Sequence, residues 1–198
     1  MLEIHEVAQG TDEWFRLRAG IVTASEISSV MAKGQGKVRA AYMYRLIGER
    51  ITGEPAESFS NRHTERGQEQ EPIARRLYEE QTGLLVAEVG FMTNHGVGYS
   101  PDGTVAEDGL IEIKTKLPHL QAEVLDRGRV PPEHIKQCQC GLWVSGREWL
   151  DFISYCPGMP LFVHRIERDD SMAAEMQQAT AIFYQEMETK IAKIMEAA

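Results

Sequence analysis

Residues 110–114 most constrain the fold of this chain, because apolar and polar side chains alternate along them. This alternation predicts a β-strand, in which residues two apart share a face. Ile111 and Ile113 are therefore expected to face a core, while Glu112 and Lys114 point together to the opposite side. The segment thus sets a carboxylate and an amine side by side next to apolar packing.

A second carboxylate reaches the same place if the chain folds back on itself. Asp102 precedes a turn at 107–109, and a hairpin through that turn brings it beside Glu112. Mg²⁺ usually takes one or two protein carboxylates and completes its shell with water and phosphate. Lys114 can orient or deprotonate a water beside such a metal, which predicts metal-dependent phosphodiester hydrolysis. An ordinary Asp-Gly turn and a solvated Glu-x-Lys strand edge are the alternative interpretation.

The composition indicates a single globular domain of 198 residues, with 42% hydrophobic and 26% charged residues. No apolar run approaches the roughly 20 residues of a membrane span, and the N-terminus lacks the apolar region of a signal peptide. The three cysteines, an odd number, favour reduced thiols in a cytoplasm. We therefore expect a cytoplasmic protein that has no membrane partner.

The net charge of −9 argues against nucleic acid as a partner, but the charge is unevenly distributed. Residues 16–76 carry eleven Lys or Arg and seven Asp or Glu, whereas residues 167–198 carry three and seven. Affinity for DNA depends on the charges near the phosphates rather than on the total. A locally basic groove on an acidic protein therefore remains compatible with DNA binding.

A candidate anion site lies near the N-terminus. Residues 12–19 predict a short amphipathic helix, and Thr23 with Glu26 has the spacing of a capping box that opens the next helix. Ser25 lies in that helix's first turn, where free N–H groups attract anions. Arg18, just upstream, can bind phosphate through both arms of its guanidinium. A pocket for a terminal phosphate and an ordinary helix cap both fit this pattern.

The rest of the chain alternates between predicted helices and strands. Helices are expected at 40–52, 64–82, 118–127, 133–145 and from 169 almost to the end. Strands are expected at 84–93, 97–100, 149–156 and 161–167. The strands at 84–93, 97–100 and 110–116 are expected to form a three-stranded meander.

Three polar side chains on these helices have two interpretations each. Glu71 lies one turn before Arg75, so it either forms a surface ion pair or supplies a third carboxylate to the site. Gln137 and Gln139 lie on an otherwise apolar helix. They are either ordinary surface amides or groups that hold the attacking water or a phosphate oxygen.

The order of these motifs resembles the phage lambda-type exonucleases, which group with the YqaJ-like viral recombinases among the restriction-endonuclease-like, or PD-(D/E)xK, nucleases. Several matches in one order are far more specific than any single motif. The matching stretches are Trp14 with 16–26, Gly67, Glu71, Ala74 and Arg75, 100–103, 112–114, 137–144 and 166–169.

The resemblance implies an α/β (α+β) fold with a central mixed β-sheet flanked by helices. It implies one nuclease domain over 1–198. Its parts would be a helical DNA-end-binding part at about 1–82, a catalytic sheet core at about 64–167 and a C-terminal helix at about 169–197. The implied activity is that of an Mg²⁺-dependent 5′→3′ exonuclease. It would degrade one strand of linear double-stranded DNA and leave a 3′ overhang, for recombination by single-strand annealing.

Carried over position by position, the resemblance implies one or two Mg²⁺ ions per site, with Mn²⁺ as a substitute. The implied ligands are Asp102, Glu112 and the backbone carbonyl of Ile113. Lys114 would position or activate the water, and Glu71 would complete the site. Either Gln137 or Gln139 corresponds to the family's helix glutamine, and the sequence alone does not choose between them.

The resemblance also implies residues that hold the DNA. The residues expected at the 5′-phosphate are Arg18, Ser25 and Thr23, with Lys37 and Arg39 as further candidates in the Gly-rich stretch 34–39. The match is poor at 57–64, where the family inserts a wedge into the duplex end. The candidates for a strand-separation loop there are Arg62, His63 and Thr64.

The implied assembly is a ring-shaped homotrimer threaded by DNA, working with a single-strand annealing protein in a bacterial host cell, with a phage or prophage origin. A ring would reconcile the charge, with basic segments lining the channel and acids facing solvent. Two rival functions remain. They are a structure-specific or restriction-type endonuclease on the same core, and a non-catalytic DNA-end-binding protein.

Overall fold

The computed structural model describes residues 1–32, 36–56 and 62–196, and of residues 62–65 and 68 it describes the backbone alone. The helices are α1 (Asp12–Arg18), α2 (Ile27–Val30), α3 (Lys37–Thr52), α4 (Arg62–Thr82), α5 (Pro118–Arg127), α6 (Pro132–Ser145) and α7 (Asp170–Glu196). The strands are β1 (Glu3–His5), β2 (Val22–Thr23), β3 (Val86–Ala87), β4 (Phe91–Asn94), β5 (Val97–Tyr99), β6 (Gly103–Val105), β7 (Gly109–Thr115), β8 (Trp149–Tyr155) and β9 (Phe162–Glu167).

The strands form two sheets, in the orders β1-β4-β5-β2 and β3-β6-β7-β8-β9. In the larger sheet, the central strand β7 pairs antiparallel with β6 and parallel with β8. In the smaller sheet, β5 pairs antiparallel with β4 and parallel with β2. The expected α/β fold with a mixed sheet flanked by helices is confirmed, although the strands are divided between two sheets.

The predicted three-stranded meander is wrong. Strands β4 and β5 do pair with each other, but they belong to the smaller sheet, and β7 lies between β6 and β8 in the larger one. The stretch 84–93 holds two short strands, one in each sheet, with Gly90 between them. A Cβ at Gly90 would stand 2.1 Å from the carbonyl oxygen of Val7. This close approach involves a residue far away in the sequence, so local alternation does not indicate where the strand breaks.

The two faces of β7 pack differently, as its alternation predicts. Ile111 and Ile113 join an apolar cluster with Ala74 and Tyr78 of α4. Leu110, on the other face, joins the larger cluster that contains most of the buried residues of α3, α6 and α7. The carboxylate and the amine of this strand therefore lie on the α6 side of the sheet.

The predicted capping box is wrong. Thr23 makes no side-chain capping hydrogen bond, and residues 24–26 form a 3-10 turn before α2. The Glu26 carboxylate accepts hydrogen bonds from Ser29 at 2.9 Å and from Arg45 at 3.1 Å instead. Because Arg45 lies on α3, a spacing rule within one helix turn does not account for this competing partner.

Two helices begin earlier than predicted, α3 at Lys37 and α4 at Arg62. Pro72 lies inside α4. Among the described residues, no helix is both long and apolar enough to cross a membrane.

The turn after α1 is tied to α3 and α7. Gly20 has φ 73°, and a Cβ there would lie 2.5 Å from Cγ of Arg50. Arg50 donates to the Gly20 carbonyl at 2.8 Å and pairs with Glu188 of α7. The Glu49 carboxylate accepts from the Gly20 amide at 2.7 Å. The direction in which α1 meets the sheets is therefore set by two other helices.

Candidate active site

Asp102 and Glu112 meet because β6 and β7 form the expected hairpin. The antiparallel register of these strands places the residue before β6 beside the middle of β7. The Asp102 Oδ2 atom accepts a hydrogen bond from the Ile113 amide at 2.5 Å. Both carboxylates line one cavity of about 190 Å³ together with Lys114. The convergence predicted from the sequence is confirmed.

The Glu112 side chain is held by three donors and is only 2% exposed. Its Oε1 atom lies 2.7 Å from Nζ of Lys114 and accepts from Nε2 of Gln137 at 2.5 Å. Its Oε2 atom accepts from the Tyr99 hydroxyl at 3.3 Å. These contacts fix the carboxylate on the side of β7 that faces α6.

The carboxylates repel one another in this partly desolvated place. Desolvation raises the pKa of Asp102 well above its ordinary value, and the charges of Glu112 and Glu71 raise it further. Desolvation also raises the pKa of Glu71, against the opposing effect of Arg75. For Lys114, desolvation lowers the pKa, but Glu112 and Asp102 outweigh it and leave the pKa raised. Lys114 therefore stays protonated, and its single positive charge faces several carboxylates.

The donor set fits a hard divalent cation, which would relieve this repulsion. Within the described ranges, no three His, Cys, Asp or Glu side chains lie close enough together to form a closed metal cage. Mg²⁺ needs no such cage, because it commonly takes one or two carboxylates and keeps several waters. Asp102, Glu112 and the carbonyl of Ile113 would supply an open set of this kind.

Glu71 lies at the edge of this site and fits both interpretations of its sequence position. Its carboxylate accepts from Nη2 of Arg75 at 2.7 Å, and Arg75 also pairs with Glu88. Glu71 and Asp102 both line a neighbouring cleft of about 760 Å³. The carboxylate is thus ion-paired on its own helix and also close to the site.

The two helix glutamines have different surroundings. Gln137 reaches Glu112 and lines the cavity of about 190 Å³. Gln139 donates to the Glu167 carbonyl at 2.8 Å and accepts from the Asp169 amide at 2.9 Å. Gln137 therefore faces the carboxylates, while Gln139 ties α6 to the segment that joins β9 to α7.

The candidate phosphate residues share the cavity with the carboxylates. β2 pairs in parallel with β5, so Thr23 lies opposite Gly98, and β5 then runs directly toward Asp102. Arg18, Thr23 and Ser25 line the cavity of about 190 Å³ alongside Asp102. The hydroxyls of Thr23 and Ser25 lie 3.4 Å apart. The structure therefore brings the two candidate sites together as one.

Arg18 is fixed in this cavity by two neighbours. Its guanidinium carbon lies 4.0 Å from the ring centroid of Trp14, and its Nη1 donates to Oγ of Ser100 at 3.2 Å. Trp14 donates to the same oxygen at 2.9 Å. Burial lowers the pKa of Arg18 to about 10, so the side chain remains charged at neutral pH. A cation held in this way is suited to binding an anion.

Other candidate DNA contacts lie elsewhere. Arg39 is buried and pairs with Glu186 of α7 through two hydrogen bonds of 2.7 and 3.0 Å. Lys37 is exposed at the first residue of α3. Neither is among the described residues that line the site cavity. Arg39 and Arg50 each pair with an acid of α7, so part of the basic charge expected along a channel is neutralised within the chain itself.

The candidates for strand separation begin a helix rather than forming a loop. Arg62, His63 and Thr64 are the first three residues of α4. Their side chains lie outside the described residues.

The side chains that line the site but were not predicted from the sequence include Trp14, Tyr99 and Ser100. Trp14 precedes Arg18 by four residues on α1, a spacing that places them on one helix face. Ser100 lies two residues before Asp102, inside the stretch that carries the resemblance. Tyr99 had no such signal, because an aromatic residue on a strand is usually part of a core.

The fold and the site define a PD-(D/E)xK-type nuclease core, with Asp102 beside the central strand and Glu112-Ile113-Lys114 on it. The chain belongs to the family of YqaJ-like viral recombinase domains, whose model matches residues 13–148.

Solved structures agree with this assignment. The structure is similar to an alkaline exonuclease (LHK-Exo) from Laribacter hongkongensis, with a TM-score of 0.87 and 40% identity over 94% of this chain and 97% of that chain. The LHK-Exo complex with dAMP matches at 41% identity, with the same TM-score of 0.87 and the same coverage of 94% and 97%. A phage related exonuclease from Haemophilus somnus 129PT has a TM-score of 0.63 and 15% identity over 89% of this chain and 99% of that chain, which shows the fold alone. No curated protein matches the chain.

Proposed function

We propose that this protein is an Mg²⁺-dependent 5′→3′ exonuclease that degrades one strand of linear double-stranded DNA and leaves a 3′ single-stranded overhang. The observation that carries the proposal is the single cavity shared by an anion-binding group, Arg18 with Ser25, and a carboxylate–lysine group, Asp102, Glu112 and Lys114. The family and the likeness to an alkaline exonuclease support nuclease chemistry.

In this mechanism Asp102 and Glu112 hold the metal, and the Ile113 carbonyl lies beside them. Bound Mg²⁺ would lower the pKa of a coordinated water and stabilise charge on the leaving oxygen. Glu112 and Asp102 raise the pKa of Lys114, and a cation bound to these carboxylates would oppose that effect. The Lys114 amine would therefore orient or activate the water beside the metal. Gln137 holds Glu112 through its amide nitrogen, which leaves its amide oxygen to accept from that water.

The direction of cutting follows from where the 5′-phosphate binds. Arg18, Thr23 and Ser25 would hold that terminal phosphate, and the next phosphodiester would then lie at Asp102 and Glu112. Each cut produces a new 5′-phosphate that can occupy the same pocket. The substrate strand therefore advances from its 5′ end.

We extend the proposal to the assembly that the family resemblance implies. The protein would form a homotrimeric ring around linear DNA and act with a single-strand annealing protein in recombination, inside a bacterial host cell that carries a phage or prophage. Membership of a viral recombinase family supports the recombination role. Light scattering of the purified protein tests the trimer: the proposal needs three times the 22.3 kDa chain mass.

Nucleotide release from linear and closed circular duplex DNA, measured side by side with Mg²⁺ and with EDTA, tests the function. The proposal requires release from the linear form with Mg²⁺ only, and an intact circle. Cleavage of the circle would favour the endonuclease. Binding of DNA ends without any release would favour the non-catalytic protein.

The different surroundings of Gln137 and Gln139 make a paired prediction. Gln137→Ala is expected to slow nucleotide release by roughly 10- to 100-fold, as for removal of a group that orients a metal ligand. Gln139→Ala is expected to leave the rate near that of the wild type but to lower the free energy of unfolding by about 1–3 kcal/mol, since buried backbone groups of Glu167 and Asp169 lose partners. Rate assays and urea unfolding of both variants check this, and equal rate losses would contradict it.

A further inference from the structure

Of the described side chains that contact Glu112, Tyr99 is the one that the proposed mechanism does not use. It ends β5 in the smaller sheet, whereas Glu112 lies on β7 in the larger sheet. Its side chain is 2% exposed, and its hydroxyl reaches Oε2 of Glu112 at 3.3 Å. This hydrogen bond links the two sheets at the site.

The hydrogen bonds of Glu112 indicate which of its oxygens is free for a cation. A carboxylate offers about four lone-pair sites, two on each oxygen. Oε1 has two donors, Lys114 and Gln137, and is therefore fully occupied. Among the residues that the structure describes, Oε2 has one donor, Tyr99, and so keeps one free site. A metal that leaves the other contacts intact would bind the oxygen that Tyr99 holds.

The position of the Tyr99 ring depends on Gly141 of α6. A Cβ added at Gly141 would stand 2.6 Å from Cζ of Tyr99, the ring carbon that carries the hydroxyl, and 2.9 and 3.0 Å from the two neighbouring ring carbons. Gly141 lies one turn beyond Gln137 on the same helix. One helix therefore supplies a donor to Oε1 and the space for the donor to Oε2.

We propose that Tyr99 is a positioning residue for the divalent cation, which fixes Oε2 of Glu112 as the metal-binding oxygen, and that Gly141 is required to admit its ring. This inference rests on the proposed function, because it concerns the metal of that nuclease site. Partners that orient a metal ligand typically contribute 10- to 100-fold to metal affinity. The neutral phenol suits the task, since it donates a hydrogen bond without adding a charge that would repel the cation.

The test is direct metal binding without DNA. Mn²⁺ is titrated calorimetrically into the wild type, Tyr99→Phe, Gly141→Ala and the double variant. Tyr99→Phe keeps the ring and removes only the hydroxyl, and it is expected to bind Mn²⁺ roughly 10-fold more weakly. Gly141→Ala should weaken binding in the same direction, and the double variant should be no weaker than Tyr99→Phe. In rate assays the Mg²⁺ concentration for half-maximal activity should rise similarly, with an unchanged KM for DNA.

Tyr78→Phe is the matched control. The Tyr78 hydroxyl also donates to a buried carboxylate, Oδ2 of Asp151 at 2.8 Å, but it belongs to the apolar cluster on the opposite face of β7. The Tyr78→Phe variant should bind Mn²⁺ with the affinity of the wild type. Equal Mn²⁺ binding by wild type and Tyr99→Phe would overturn the inference while leaving the nuclease proposal intact. A wild type that neither binds metal nor degrades linear DNA would overturn both.

Discussion

Lys114→Ala is expected to slow nucleotide release from linear duplex DNA by roughly 10²- to 10⁴-fold, the range for loss of a group that assists proton transfer in the transition state. The wild-type amine lies 2.7 Å from Glu112 in the site cavity and stays protonated because the carboxylates raise its pKa. Its removal takes away the donor that would orient the attacking water. The proposed metal ligands, Asp102 and Glu112, remain, so metal binding should persist.

The fold of this variant is also expected to persist, since Glu112 keeps its hydrogen bonds from Gln137 and Tyr99. Single-turnover rates at saturating Mg²⁺ measure the effect, with thermal unfolding to confirm the folded state. Lys193→Ala, an exposed lysine on α7, is the matched control and should keep the wild-type rate. A Lys114→Ala rate within about threefold of wild type would remove Lys114 from the chemistry, since even modest acid–base assistance exceeds that factor.

Arg18→Ala is expected to abolish the preference for 5′-phosphoryl over 5′-hydroxyl ends. A hydrogen bond to a charged group contributes about 1.5–3 kcal/mol, which corresponds to roughly a 10- to 100-fold loss of preference. The guanidinium is stacked on Trp14 and hydrogen-bonded to Ser100, so it is already placed before DNA arrives. Little ordering of the side chain should therefore oppose binding.

The measurement compares kcat/KM on matched duplexes that differ only in the 5′-phosphate. Arg16→Ala is the control, because Arg16 lies on the same helix but is exposed. It should retain the wild-type preference. If Arg18→Ala and wild type discriminate equally between the two ends, the phosphate lies elsewhere.

The part of the site that the sequence predicts is the part formed by local geometry. Alternation along β7 sets which way Glu112 and Lys114 point, and a single hairpin returns Asp102 to them. The prediction that Ile111 and Ile113 lie on the opposite face of β7 from these polar groups is confirmed for the same reason. Both results depend only on strand periodicity and a turn.

The part that could not be predicted depends on contacts between distant segments. Gln137 and Gln139 are two residues apart, and only the placement of β7 and β9 around α6 shows which one meets the carboxylates. Arg39 is a residue type that often contacts DNA. Its partner in the structure is instead the carboxylate of Glu186, which lies 147 positions away in the sequence. Tyr99 has the pattern of a core residue, and its hydroxyl reaches a carboxylate only because the two sheets meet at Glu112.

Gly20 is hydrogen-bonded to Glu49 and Arg50 of α3, and Arg50 is paired with Glu188 of α7, which has a consequence for protein engineering. The N-terminal helix that carries Trp14 and Arg18 is not an exchangeable module, although it is short and stands near one end of the chain. A chimera that takes this helix from a relative must also take the matching surfaces of α3 and α7, or the guanidinium will meet Ser100 at a different angle. The position of Arg18, on which the proposed binding of the DNA end depends, is therefore set by α3 and α7 as well as by α1.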